Sequence, residues 1–191
     1  VVVAGDDFTV RGGAADASIV TKQIAAEHMA LELRLPIVRL IDGTGGGGSV
    51  KTLDTAAQAS GSIATGSMGR GARTYVPDNP AWDHVVANLA TVPTVALCLG
   101  PVAGLGAARA VSSHFSVMVR GLSQLFVAGP PVVNALGAEE VDKESLGGSR
   151  IHTRNGAIDH EVASVAEAFE AARRFLSFLP SSVHELAERG T

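Results

Sequence analysis

The stretch Thr94-Val95-Ala96-Leu97-Cys98-Leu99-Gly100-Pro101-Val102-Ala103-Gly104-Leu105-Gly106-Ala107-Ala108-Arg109 decides the fold class of this 191-residue chain. Its first six residues are uncharged and largely apolar, as in a strand covered on both faces. Gly100 to Gly104 reads as a turn, and the small residues from about Leu105 to Ser112 read as a helix. A buried strand, a glycine turn and a helix, in that order, are the repeating unit of an α/β fold. The layout occurs again upstream. There Ile37-Val38-Arg39-Leu40-Ile41 runs into Asp42-Gly43-Thr44-Gly45-Gly46-Gly47-Gly48-Ser49, followed by an Ala/Ser-rich helical stretch from Leu53 to Thr65.

The alternation continues on either side. Strands are expected at Val1–Ala4, Phe8–Arg11, Phe115–Val119 and Leu122–Val127. Helical spacing of apolar residues predicts a helix over Asp16–Leu35, capped by Asp16 or Ser18 and ended by Pro36, and another over Ala81–Ala90. A short helix follows the Gly129-Pro130-Pro131 break, and an amphipathic one spans Ser164–Leu179, closed by Pro180. Gly66–Pro80 and the polar stretch from Gly147 to Asp159 read as loops. No sequence repeat at a fixed period is present.

Hydrophobic residues make up 46% of the chain against 18% charged, which excludes intrinsic disorder. A net charge of −4, with lysine only at 22, 51 and 143, argues against a nucleic-acid or anionic-membrane surface. Val85 to Ala108 carries no charge, yet Asn88, Pro93, Gly100, Pro101, Gly104 and Gly106 interrupt it. A buried helix-strand-helix fits it better than a membrane span. The single Cys98 excludes a disulfide framework and a cysteine-cluster zinc site and suits a reducing, cytoplasmic compartment. Its place inside an apolar strand makes it a core residue rather than a nucleophile. The chain opens on Val1-Val2-Val3-Ala4 without a Met, so residues upstream are expected, and no signal peptide is read.

Backbone N–H groups at the start of a helix lack intrahelical partners and sit at the positive end of its dipole. The two glycine turns could therefore hold an anion, or a carbonyl oxygen that becomes negative in a transition state. The plainer alternative is that small residues let helix and strand pack closely. Gly43 to Gly48 satisfies G-x-G-x-x-G, as any glycine run does, but no acidic residue follows at the end of a second strand, as a dinucleotide site would want. No phosphate-binding G-x-x-x-x-G-K-[ST] and no G-x-S-x-G are present. The six histidines show no zincin spacing, and no cysteine pair supports them. His152 and His160, with Arg150, Arg154 and Asp159, belong to a polar loop. What remains is main-chain oxyanion chemistry, without an evident side-chain nucleophile, metal or general base.

At Gly100-Pro101-Val102-Ala103-Gly104 the sequence resembles the carboxyltransferase (β) subunits of biotin-dependent acyl-CoA carboxylases of the propionyl-, acetyl- and methylcrotonyl-CoA type. Other segments match in the same order. Asp7-Phe8-Thr9-Val10-Arg11-Gly12-Gly13 is similar to that family's D-F-T-V-x-G-G. Asp42, with Gly45 and Gly46, stands where the family has D-S-G-G. Phe126-Val127-Ala128-Gly129-Pro130-Pro131-Val132-Val133 resembles F-x-x-G-P-x-V-V, and Glu144-Ser145-Leu146-Gly147-Gly148 with His152 and His160 resembles E-x-L-G-G…H…H. Arg173 to Ser181 is similar to the segment linking that family's two domains. The resemblance covers nearly the whole chain.

It implies a crotonase-like (ClpP/crotonase) α/β fold, a spiral of ββα units, over residues 1–180, with 181–191 beginning a linker to an absent second domain. The activity implied is transfer of CO2 from carboxybiotin to the α-carbon, or the vinylogous γ-carbon, of an acyl-CoA through an enolate held by backbone amides. By position Gly104 and Leu105 match the family's second amide pair and Gly45 and Gly46 its first. Gly43, Gly47, Gly48, Val102, Ala103 and Gly106 then line the acyl-CoA. The cofactor implied is biotin on a partner carrier protein, with acyl-CoA as substrate and no metal. The partners implied are a second carboxyltransferase domain from a neighbouring subunit, a biotin carboxylase and the biotin carrier protein, in a homo-oligomer of the cytoplasm or mitochondrial matrix. Two departures stand out. The family's Gly-Gly-Ala is here Gly104-Leu105-Gly106, with a side chain that narrows the acyl pocket, and the first loop lacks the family's Ala-Arg. Other readings stay open: a crotonase-type hydratase using Asp42 and Asp54, a biotin-dependent decarboxylase, or a non-catalytic assembly subunit.

Overall fold

A computed structural model describes residues 1–13, 20–43, 80–137 and 140–186. Five strands follow the order β1 (Val2–Gly5), β2 (Ile37–Gly43), β3 (Thr94–Ala103), β4 (Phe115–Val119) and β6 (His160–Val162), and β5 (Gln124–Phe126) pairs with β3 off that path. Every pairing between these strands is parallel. The helices are α1 (Val20–Glu32), α2 (Pro80–Leu89), α3 (Leu105–Val111), α4 (Pro130–Ala135), α5 (Lys143–Gly147), α6 (Ser149–Arg154) and α7 (Val165–Ser177).

Parallel sheets need cover on both faces, which is why β3 reads as one apolar run. Its residues alternate between two cores. Ala96, Cys98 and Val102 join Ile41, Met118, Leu125, Ile158 and the α3 residues Ala107 and Ala110. Val95 and Leu97 join Val38, Val117, Val119, Val162 and the α7 residues Ala168 and Ala172. Ser164 caps α7 by accepting from the Glu167 N–H. Cys98 is fully buried, and that burial pushes its thiol up to about 12. Val85 to Ala108 is the end of α2, β3 and the start of α3, and among the described residues no helix is long and apolar enough to cross a membrane.

Three local expectations change. Phe8–Arg11 is not a strand, because Asp7 Oδ1 accepts from the Thr9 N–H (2.9 Å) and Oγ1 (2.6 Å), closing a turn that leads into a 3-10 turn at Arg11–Gly13. Gly100 to Ala103 is not a turn but the second half of β3. Val95–Cys98 pairs with β4, while Pro101, Val102 and Ala103 pair with Gln124, Leu125 and Phe126. Pro101, which has no N–H to donate, falls where the β2–β3 register shifts between Ile41 and Gly43. The stretch from Gly147 to Asp159 holds a helix rather than a loop, since α6 spans Ser149–Arg154. The sequence-predicted helix over Leu53–Thr65 and the caps Asp16 and Ser18 lie outside the described residues.

Candidate functional site

Strands β2, β3 and β5 all end at one edge of the sheet. The carboxyl edge of a parallel sheet gathers strand-end loops and helix starts, and ligands bind there. Gly43, the last residue of β2, pairs with Val102 of β3, two residues before Gly104. The two glycine turns singled out in the sequence therefore leave the sheet from adjacent strands. Gly45, Gly46, Gly47, Gly48 and Asp54 lie outside the described residues, so the first turn is seen at its root, Gly43. Val102 is buried beneath the second turn, Ala103 is half-buried against β5, and Gly106 is buried in α3.

Gly43 has φ +114°, and a Cβ there would collide with the Gly12 carbonyl oxygen. The Asp7–Gly13 segment thus lies backbone-to-backbone against the end of β2, a contact that only glycine permits.

At the second turn Gly104 adopts φ 59° and ψ −125° and donates its N–H to the Phe126 carbonyl at 3.1 Å. That corrects one assignment. The Gly104 amide is committed to β5 and is not a free donor, so the available donors begin at Leu105. Leu105, Gly106 and Ala107 open α3, and among the described residues no backbone acceptor meets their N–H groups. The first bond of the helix is from the Ala108 N–H to the Gly104 carbonyl, at 3.1 Å. Leu105 is 39% exposed, and Val127, just beyond Phe126, is 91% exposed. Among the described residues the edge is open on that side.

Charge lies close behind it. The Asp42 carboxylate rests on Gly100, in the space a Cβ would take. Desolvation first, and then the nearby Asp6 charge, hold Asp42 above the usual carboxylate range. Asp6 accepts from Gln23 Nε2 (3.0 Å) and pairs with Arg109 of α3 (3.4 Å), with both side chains of the ion pair buried. Among the described residues its other oxygen, Oδ2, has no partner. Deeper in, Arg39 of β2 pairs with Glu27 of α1 at 2.7 Å. A sequence signal for that pair existed, because an arginine inside an otherwise apolar strand demands a buried partner.

The Glu144-to-His160 motif supports β5 rather than forming a second site. Asp142 and Ser145 make a capping box that starts α5. Glu144 accepts from Gln124 Nε2 (3.1 Å), Gly148 bridges to Gln124, and a His152 ring nitrogen lies 2.8 Å from the Leu125 carbonyl. His160 stands apart, exposed and stacked on Phe115 at 6.3 Å. Arg150 and Arg154 are exposed on α6, and Asp159 accepts from the Ser116 N–H and Oγ. A cavity of about 590 Å³ lined by Phe115, His160, Arg174, Phe175 and Phe178 opens where β4 and β6 begin, at the edge opposite the glycine turns. Among the described residues no three potential metal ligands come together.

Residues 1–189 match the family model for the carboxyl transferase domain. The β chain of mitochondrial methylcrotonoyl-CoA carboxylase from Dictyostelium discoideum is 30% identical over 184 residues, which is 93% of this chain and 28% of that protein. A probable biotin-dependent acyl-coenzyme A carboxylase β2 subunit from Mycobacterium tuberculosis is 31% identical, over 93% of this chain and 30% of its own length. Among solved structures, transcarboxylase 12S, a hexamer with methylmalonyl-coenzyme A and methylmalonic acid bound, is 25% identical with a TM-score of 0.72. That match covers 97% of this chain and 33% of that one. The chain thus spans about a third or less of the length of these proteins, and the likeness carries the crotonase-like fold to it.

Proposed function

The chain belongs to the carboxyl transferase domain family, and from that premise we propose that it forms the acyl-CoA half of a biotin-dependent carboxyltransferase. The observation that carries this is the pairing of Gly43 with Val102, which sets the root of the first glycine run beside the strand that leads into Gly104. The Leu105 and Gly106 N–H groups from one side, and Gly45 and Gly46 from the other, would cradle the thioester oxygen. An amide at such a place counts because the oxygen gains charge as the α-carbon is enolised. The bond is then stronger in the transition state than in the ground state.

Carboxybiotin on a partner carrier protein would supply the CO2, and the ureido nitrogen freed as that CO2 leaves would accept the α-proton. No general base is needed from this chain, and Asp42, held above its ordinary range, is not placed in that role. The open side beside Leu105 and Val127 fits an approach by the biotin-bearing half, which a second domain of a neighbouring subunit would provide. A biotin carboxylase and a homo-oligomeric core complete the assembly, in the cytoplasm or, in a eukaryote, the mitochondrial matrix.

The test uses the full-length protein with a biotin carboxylase, biotinylated carrier, ATP and labelled bicarbonate. Label is expected in acetyl-, propionyl- or methylcrotonyl-CoA. A carrier that becomes carboxylated while every acyl-CoA stays unlabelled would overturn the proposal.

A further inference from the structure

Arg39 is the largest fully buried side chain described, and it has no place in the chemistry proposed above. Its Nε and Nη2 meet the two Glu27 oxygens at 2.7 and 3.0 Å, and its Nη1 donates to the Ser112 carbonyl (3.0 Å) and Ser113 Oγ (3.2 Å). Glu27 also accepts from Asn88 Nδ2, through its carbonyl at 2.9 Å and its carboxylate at 2.8 Å. One network thus ties β2, α1 and α2 to the C-terminal end of α3. Stability alone does not explain it, because an apolar pair of similar volume is often as stable as a buried ion pair or more so. What apolar contact cannot supply is direction.

α3 is seven residues long, and its far end carries Leu105. At 1.5 Å of rise per residue, the Ser112 anchor lies only about 10 Å from the Leu105 amide. Two helical turns are too short to absorb an axial slip, so a shift at Ser112 is delivered to Leu105.

We infer that the buried Arg39–Glu27 pair is a positioning device, fixing α3 along its axis so that the Leu105 amide is aimed at the edge it shares with Gly43. The effect on turnover rests on the proposed carboxyltransferase function; the effect on the amide does not. The full-length double variant Glu27→Leu/Arg39→Met removes both charges and leaves Asn88 its bond to the residue-27 carbonyl.

The expected result is an unchanged melting temperature, displaced Leu105 and Gly106 amide signals in NMR spectra, an acyl-CoA KM near that of the parent, and a kcat lower by about ten- to a hundredfold. Unmoved amide signals with parental kcat in a folded double variant overturn the inference. Should that variant fail to fold, Arg39→Lys keeps the charge but cannot reach Glu27 and Ser112 together. The same amide shifts and kcat loss then support the inference, and parental values overturn it. If the parent protein itself carboxylates no acyl-CoA, the proposed function fails and the amide signals alone decide.

Discussion

The carboxylate of Asp42 occupies the space that a side chain on Gly100 would need, so the ends of β2 and β3 interlock through one acid and one missing methyl group. Gly100 is opposite the register shift between the two strands, where no ladder holds them. The close approach replaces that ladder and keeps the roots of the two turns together.

Gly100→Ala is therefore expected to displace the Asp42 carboxylate, whose atoms are the nearest to the new methyl group. Urea unfolding should read a loss of about 1 kcal/mol, the low end of overpacking. A loss well above that would show that the strand ends themselves are forced apart.

The acid at this junction sets a pH dependence. Asp42 has a folded-state pKa raised by desolvation and by Asp6. Its contribution to stability is thus fully present below the unfolded carboxylate value and is lost as pH rises through the folded one. Asp42→Asn removes the ionisation. Urea unfolding from pH 4 to 8 should show the variant gaining on the parent as pH rises, and a constant difference across that range would contradict the assignment.

The donor role of Leu105 can be isolated with Leu105→Pro. Proline is well tolerated at the first position of a helix, where the N–H has no helical partner, so the fold should survive. Loss of one oxyanion donor costs about 2.7–4 kcal/mol, and kcat should drop by about a hundred- to a thousandfold. Gly104, whose amide is already bonded to Phe126, is not expected to donate to the substrate at all.

The two histidines of the Glu144-to-His160 motif should behave differently. His152→Leu strips the Leu125 carbonyl of its partner and should cost about 1–3 kcal/mol, measured by denaturation. His160→Ala removes an exposed ring and should stay within about 0.5 kcal/mol of the parent.

Much of this fold was legible in the sequence, for reasons particular to each element. The bounds of β4 at Phe115–Val119 and the start of α7 at Ser164 follow from local signals, an apolar run and an amphipathic period. The second half of β3 was not legible. Gly100-Pro101 carries turn residues, and only pairing with distant chain, Gly43 of β2 on one side and the three-residue β5 on the other, makes it a strand. Phe8–Arg11 has strand-like composition, but the Asp7 carboxylate closes a turn first. α6 is too short to show a helical period in a polar stretch. At the site, the sequence offers the Gly104 amide as a donor, and the structure bonds that amide to the Phe126 carbonyl. A hydrogen bond between Gly104 and Phe126 depends on a tertiary neighbour that glycine spacing does not encode.

The split pairing of β3 has a consequence of its own. Its first half is welded to β4 within the main sheet, whereas its last three residues lean on β5, α5 and α6. The end of β3 therefore rests on a small annex with its own bracing, joined to the central layers through Leu125. Swapping residues 128–156 for the matching stretch of another acyl-CoA carboxylase should retune ligand choice while Leu125 keeps its place in the core, which makes that annex the natural unit for grafting new specificities.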